Sequence, residues 1–495
     1  MPDTAPWCAR HGDVMHLTRR RGAPDFPTER EEKRAFGGRS ILLPVLIGEN
    51  VTGSCGGGRG SVRRARGAAV REDRGMAAPV TPPRGMRDFL PAEKARRERM
   101  LGTIRSVYAA HGFDEIETPV MEDASRLHAG LGGDNEKLAF GVLKRGLSPE
   151  DLAAASDPLD LSDLGLRFDL TVPLTRFYAS HQAELPKVFR SIQIAPVWRA
   201  ERPQKGRFRQ FVQCDIDIIG EASALAEIEL ITATAATLTA LGLEGCRIRI
   251  NDRRILRALI THFGIPDESY ERALLTIDKE DKIGIAGVVD ELRQLGLGDA
   301  DLIESVLQAN NHVPDDGWSL LEDPPAWLDD TARAAYIELD GIRSAVGDAA
   351  RLVFSPGLVR GMGYYTGTIF EIEHPDLPYA LGGGGRYDGM IGRFLGTDVP
   401  AAGFSIGFER LVDLVADGTG GAADAVALIY DDVPATTLLR LKTQLIASGS
   451  RVRLERKPRN FKPLLAELSK SGFHRVATVT PDTLAVEDLQ FRLID

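Results

Sequence analysis

From Ile192 to Glu201, and again from Phe211 to Ile218, polar and apolar residues alternate, and this alternation limits the chain more than any other feature. Gln193, Ala195, Val197, Arg199 and Glu201 fall on one side of an extended chain, with Ile192, Ile194 and Trp198 on the other. After a short break, Phe211, Gln213, Asp215 and Asp217 share a side, opposed by Val212, Cys214, Ile216 and Ile218. The pattern predicts two neighbouring antiparallel strands with a polar floor and an apolar back. Taken alone, it is also what a hairpin with one face in water would show. The loop between the strands argues against that plain reading. RPQKGRFR sets Arg202, Lys205, Arg207 and Arg209 close together, and like charges crowded at a hairpin tip repel unless an anion joins them. An amide and carboxylates on the floor suit a cation instead.

The whole chain has 495 residues and a formal net charge of −10, so bulk attraction does not bring it to nucleic acid. Any polyanion must meet a local basic patch. The best apolar run, Ile41 to Ile47, is far short of the roughly 18 residues a membrane helix needs, which predicts a soluble protein without a membrane partner. Cys8, Cys55, Cys214 and Cys246 are scattered, with no C-x-x-C pair and no histidines at ligand spacing. That speaks against a disulfide framework or a zinc site and predicts a reducing, cytoplasmic location.

Residues 1–75 differ from the rest. They hold 14 Lys and Arg against 9 Asp and Glu, and a Gly/Arg-rich tract, SCGGGRGSVRRARG. The expectation is a disordered tail, or a start assigned too early with Met76 as the true first residue. Frequent acidic residues and the lack of an apolar stretch after the first basic cluster oppose a targeting peptide. Beyond Pro91, Leu101, Ile104, Val107 and Tyr108 keep helical spacing until Gly112, and FDEIETPVME then alternates like a strand. Residues 76–415 form the predicted core, with a mostly helical insertion at about 222–350. ADGTGGAAD, from Ala416 to Asp424, reads as a linker. Residues 424–495 follow a β-α-β-α-β order, a small α/β domain with a mainly parallel sheet. The overall class is α+β.

LGGGGRYDG, at 381–389, taken alone reads as a tight turn. No G-x-x-x-x-G-K-[ST] motif is present, which excludes a P-loop. In context the run is one of several ordered blocks. FRSIQIAPVWRAERPQKGRFRQFVQCDIDIIG resembles motif 2 of the class II aminoacyl-tRNA synthetases, and its loop resembles that of the histidyl-tRNA synthetases. PPRGMRDFLP, LGLRFDLTVPLTRF, LVRGMGYYTGTIFEI, LGGGGRYDG and GFSIGFERL resemble other signatures of that family in the expected order. The resemblance spans roughly Pro82 to Val415. It implies an antiparallel-sheet catalytic domain with a helical insertion, followed by a small anticodon-binding-like α/β domain.

The resemblance also implies a reaction: L-histidine is joined to ATP, with Mg²⁺ screening the triphosphate, and the histidyl group then passes to tRNA(His). Two anions must be held together, and cations must neutralise them. By resemblance, Arg199 and Arg360 meet the α-phosphate from opposite sides and are the catalytic pair. Glu201 and Arg410 complete the ATP site, Arg410 holding the far end, and Arg207 and Arg209 follow the β- and γ-phosphates or the tRNA acceptor end. Guanidinium suits phosphate because its rigid fork donates two directional hydrogen bonds and stays charged. Asp169, Thr171 and Gln213 match positions that receive the α-ammonium. Asp217 and Tyr365 match those that read the imidazole, with Tyr364 and Tyr387 in the pocket wall. A homodimer is implied by the family alone.

The sequence departs from the family pattern in three places. Gly363 stands where many members carry Asp, residues 1–75 have no counterpart, and VTPDTLAVEDLQFRLID is shorter than the usual finish of the anticodon domain. The alternative is a histidine-binding paralogue without ligase chemistry, such as the regulatory subunit of ATP phosphoribosyltransferase. Such a protein has no use for the basic loop and usually lacks the last domain.

Overall fold

The structure, a computed structural model, describes residues 80–128, 138–204, 206–311, 318, 325, 327–360, 365–415 and 424–494. The expectations for residues 1–75, Lys205, Gly363, Tyr364 and most of the linker lie outside these residues. Contacts divide the chain after Ala78, and the described residues belong to the second unit, Pro79–Asp495.

Pro91 opens a helix that runs to Ala110, since a first-turn position needs no N–H from its residue. Met100, Leu101, Ile104 and Tyr108 are buried on one side of it, and Gly112 turns the chain with φ 87°, a value that favours glycine. FDEIETPVME does not form one strand. It gives β1 (Asp114–Glu115) and β2 (Met121–Asp123), separated by a stretch containing Pro119, which has no N–H for a ladder. β2 joins β3 (Phe140–Leu143) and β4 (Ser162–Leu166) in a three-stranded antiparallel sheet of order β2-β4-β3.

The main sheet contains β1 and seven further strands. They are β5 (Phe189–Trp198), β6 (Gln210–Ile219), β7 (Arg247–Asp252), β8 (Leu352–Phe354), β9 (Thr368–Glu373), β10 (Gly382–Arg386) and β11 (Ala401–Gly407). Their order is β1-β5-β6-β11-β10-β9-β7-β8, with only the end pairs β1/β5 and β7/β8 parallel. β5 and β6 pair antiparallel through ten residues each, as the alternation predicts. The apolar back of this pair, Ile192, Cys214, Ile216 and Ile218, shares one buried core with Leu101 and Ile104 of the first helix and with Leu230 and Ile231 of the helix Leu225–Ala240. The polar face is therefore left for a site.

The described part of 222–350 is mostly helical and also supplies β7, which hydrogen-bonds to β9 and so ties this stretch to the main sheet. One expectation changes here. The glycine run is not a turn: Gly382–Arg386 is β10, paired on both sides in the middle of the sheet. Strands packed this closely leave no room for side chains there. A β-carbon on Gly384 would stand 1.9 Å from the carbonyl oxygen of Gly403.

Residues 424–494 build a separate sheet from β12 (Ala425–Tyr430), β13 (Arg451–Arg456), β14 (Arg475–Val479) and β15 (Arg492–Leu493), in the order β13-β12-β14-β15. β12 pairs parallel with β13 and β14, through helices Ala435–Ala447 and Phe461–Lys470, and β15 closes the edge antiparallel. The β-α-β-α-β reading matches this order.

Candidate active site

The registers align one rung across six strands: Gln193, Asp215, Ser405, Gly383, Glu371 and Arg249. Because residues facing one another across strands share a face, this row of polar groups lies on the side opposite the apolar core. Over it opens a cavity of about 420 Å³, lined by Arg199, Arg207, Arg360 and Arg410 together with Gln213, Tyr365, Glu371 and Ser405.

The four arginines arrive from separate elements. Arg199 follows the end of β5; its Nε donates to the Phe168 carbonyl at 3.0 Å, and its guanidinium stands 5.0 Å from the centre of the Phe211 ring. Arg207 sits at the loop tip, where Gln204 and Arg207 exchange backbone hydrogen bonds of 3.1 and 2.9 Å and Gly206 takes φ 73°. Its guanidinium reaches to 3.7 Å from Glu201, which also lines the cavity. Arg360 donates to the Glu371 carboxylate and, at 2.9 Å, to the Gly382 carbonyl. Arg410, in the short helix Phe408–Val412, donates to the Ala380 carbonyl and lies 5.2 Å from the centre of the Tyr379 ring. Burial first, and then the charges of Arg207, Arg360 and Arg199, lower the Arg410 pKa to about 10. Cations gathered this closely form a site for a polyanion.

Beside them lies the opposite chemistry. Asp169, Asp215 and Asp217 are all buried. Burial raises Asp169 to about 6, against the pull of the Val172 amide and Arg199. Asp217 rises to about 7, mainly through burial, although the Tyr387 hydroxyl donates to it at 2.6 Å. Asp215 is pushed well above the carboxylate range by burial and by Asp217. Gly403 makes room for this arrangement, because a β-carbon there would fall 2.0 Å from Asp217 Oδ1. Two buried oxygens, Asp169 Oδ2 and Gln213 Oε1, have no hydrogen-bond partner among the described residues. Buried polar atoms are nearly always satisfied, so these two suit a donor brought by a ligand.

Arg199, Glu201, Arg207, Gln213, Tyr365, Arg360 and Arg410 thus line one cavity. Asp169, Asp217 and Tyr387 lie in the buried layer next to it and are electrostatically linked to Asp215, the floor residue beside Gln213. Thr171 begins the helix Thr171–His181 and does not line the cavity. Arg209 does not line it either. Its Nε donates to the Glu201 carbonyl at 3.0 Å, which turns the side chain back onto its own loop.

Several contributors carry a weak sequence signal or none. Ser405 could have been found from GFSIG, where Gly403, Ser405 and Gly407 alternate with Phe404 and Ile406. Glu371 alternates in the same way in TIFEIE. Glu409 lines the cavity but is spent on the protein: it accepts from Arg97 at 2.6 and 2.7 Å, from Arg87, and from the Val212 amide at 3.3 Å. Tyr379 shows no periodic signal at all.

Comparison with known proteins gives this geometry a family. The model of the family described as histidyl-tRNA synthetase matches residues 85–411. The chain belongs to the histidyl-tRNA synthetase family. It is 61% identical over 424 residues to the histidine–tRNA ligase of Leifsonia xyli subsp. xyli (strain CTCB07), covering 83% of this chain and 98% of that protein. It is 42% identical over 410 residues to a probable histidine–tRNA ligase of Tropheryma whipplei (strain Twist), covering 80% of this chain and 94% of the relative. The crystal structure of the histidyl-tRNA synthetase from Nostoc sp. PCC 7120 superposes with a TM-score of 0.64 at 26% identity, covering 81% of this chain and 92% of that one. A Bacillus halodurans structure titled as an ATP phosphoribosyltransferase regulatory subunit/histidyl-tRNA synthetase shares the fold, with a TM-score of 0.63 at 21% identity over 78% of this chain and 96% of that one. The fold is that of the class II synthetases, and the antiparallel-rich sheet is its catalytic platform.

Proposed function

We propose that this chain is a histidine–tRNA ligase, which activates L-histidine with ATP and passes the histidyl group to tRNA(His). The observation that carries the reading is the meeting of four arginines with buried, partly unpartnered acceptors on one sheet face. In the first step an oxygen of the histidine carboxylate bonds to the α-phosphorus as the bond to the bridging oxygen of diphosphate breaks. In the second, a ribose hydroxyl at the tRNA end attacks the carbonyl carbon of the adenylate, and AMP leaves. Arg199 and Arg360 flank the reacting phosphate, while Arg207 and Arg410 take the outer phosphates. Arg209, held by loop carbonyls, shapes the loop rather than touching ATP.

Gln213 Oε1 and Asp169 Oδ2 accept from the α-ammonium, with Thr171 at the helix start beside Asp169. Asp217, held by Tyr387, reads the imidazole together with Tyr365 and Tyr364. A polar partner for each imidazole nitrogen rejects amino acids that would leave those groups unpaired, a discrimination of about 10⁴ to 10⁵ in favourable sites. Among the described residues, no group of three or more His, Cys, Asp or Glu side chains is placed to hold a metal, and Glu371 and Glu409 are taken by arginines. Mg²⁺ would come as part of the ATP complex, where it screens the triphosphate.

Residues 76–415 act as the catalytic core and 424–495 as the tRNA-reading domain. No helix among the described residues is long and apolar enough to cross a membrane, and the scattered cysteines fit the cytoplasm. For a homodimer, the support beyond the family is a group of exposed apolar side chains, Val120, Met121, Leu143, Leu152 and Leu159, on and around the three-stranded sheet. The test is ATP–diphosphate exchange followed by tRNA charging. Exchange that depends on histidine, with charging of tRNA(His), is expected. Histidine binding without exchange would instead favour the regulatory paralogue.

A further inference from the structure

Gln213 carries an amide whose two ends are treated differently. Nε2 donates to Ser405 Oγ at 2.8 Å and approaches the Asp215 carboxyl at 3.3 and 3.4 Å. Oε1 is buried and has no partner among the described residues. A side-chain amide can turn over at little steric cost, so its orientation is fixed only by the groups it meets. Here the register supplies them: Ser405 of β11 stands directly opposite Asp215 of β6, two pairs along from Gln213 and on the same face. Ser405 Oγ and the Asp215 carboxyl both meet the Nε2 end of the amide, and the carbonyl oxygen is left without a partner among the described residues, beside the cavity that Gln213 and Ser405 both line.

We infer that Asp215 and Ser405 are positioning residues that lock the Gln213 amide, so that its Oε1 is always presented to the amino acid's ammonium group. Neither touches the reacting atoms. Their role is to remove the turned-over state, in which an N–H would point at the ammonium and repel it. Without the lock, part of the protein would carry the wrong orientation, and affinity for the amino acid would fall in proportion. This inference rests on the functional reading above, and its test separates the two.

Asp215→Asn replaces the carboxyl that Nε2 approaches with an amide that can itself turn over, so that it no longer fixes Gln213. Ser405→Ala removes the shorter of the two contacts. In ATP–diphosphate exchange each variant is expected to raise KM for histidine by about tenfold, the scale of one hydrogen bond to a charged group, with KM for ATP and kcat little changed. Inhibition adds a second readout. Histidinol keeps the ammonium and should weaken in parallel, whereas imidazole propionate lacks it and should bind both variants as it binds the unaltered protein. Equal weakening of both inhibitors, a parallel rise in KM for ATP, or unchanged constants throughout would overturn the inference. If Asp215→Asn fails to fold, Ser405→Ala alone decides, since it deletes only a hydroxyl. Absence of histidine-dependent exchange in the unaltered protein would overturn the functional reading itself, and the inference with it.

Discussion

Arg360 lies across Gly383 so closely that a β-carbon built on the glycine would stand 2.5 Å from the guanidinium carbon. The glycine occupies the polar rung between Ser405 and Glu371, and its missing side chain is the space in which the arginine rests while it binds Glu371. Gly383→Ala should therefore displace the end of a flexible side chain and spare the backbone. The expected result is a loss of adenylate formation on the order of 10² with a nearly unchanged melting temperature. Gly384→Ala is the contrast, because its β-carbon would meet the Gly403 carbonyl at 1.9 Å, and it should lose the fold. Exchange assays and thermal unfolding on both variants check the pair.

Arg360→Ala should lower the rate of histidine-dependent exchange by roughly 10² to 10³, the scale of a lost transition-state contact, with only a modest loss of histidine binding. Binding measured by calorimetry without ATP separates the two effects. Equal collapse of binding and folding would assign Arg360 a structural role through its bond to Glu371.

The platform is also braced from the N-terminal side. Arg97, in the first helix, and Glu409, beside Arg410, are both buried, with side chains only 4% exposed, and they form two hydrogen bonds. Removing one member leaves a buried charge unpaired, so Glu409→Ala should destabilise the protein by about 3–5 kcal/mol. Denaturant unfolding measures this. A variant at Arg87, which is partly exposed on the same carboxylate, should cost much less.

Stability should depend on pH through Asp217. Its carboxyl titrates at about 7 in the folded protein, raised mainly by burial, against about 3.9 for an unperturbed aspartate. Since the folded value is the higher, the folded chain holds the extra proton between these two values. The resulting stabilisation is complete below about pH 4 and is lost as pH rises through about 7. The ligand-free protein should melt at a lower temperature at the upper end of this window, and Asp217→Asn should flatten the slope. A slope unchanged by the substitution would place the proton elsewhere.

How much of this was legible in the sequence depended on distance along the chain. The β5/β6 pair and its polar floor were readable, because a period of two over neighbouring segments fixes which residues share a face. Ser405, Gly383 and Glu371 meet Asp215 only through a strand order that joins segments some 150 to 190 residues apart, and no local pattern encodes that order. The same limit explains the glycine run. Four glycines fit a tight turn by local preference, and only the tight packing of β9, β10 and β11 makes them a strand. Local pattern does not say where Arg209 points, because a charge in a loop can bond to backbone carbonyls as well as to a ligand.

A chain beginning at Met76 is expected to activate histidine and charge tRNA as well as the 495-residue chain does, since the composition changes near that point. Side-by-side charging assays check it. Loss of activity on removing the first 75 residues would assign them a role.

The account turns on a single molecule being able to engage both ends of the floor at once, and a non-reactive analogue of histidyl-adenylate, with a sulfamoyl group for the phosphate, tests this directly. Titrated calorimetrically into the unaltered protein, Arg199→Ala and Asp217→Asn, it should bind tightly to the first and markedly more weakly to each of the others. Undiminished binding to either variant would mean that the guanidinium groups and the buried carboxylates do not serve one ligand, and would contradict the account.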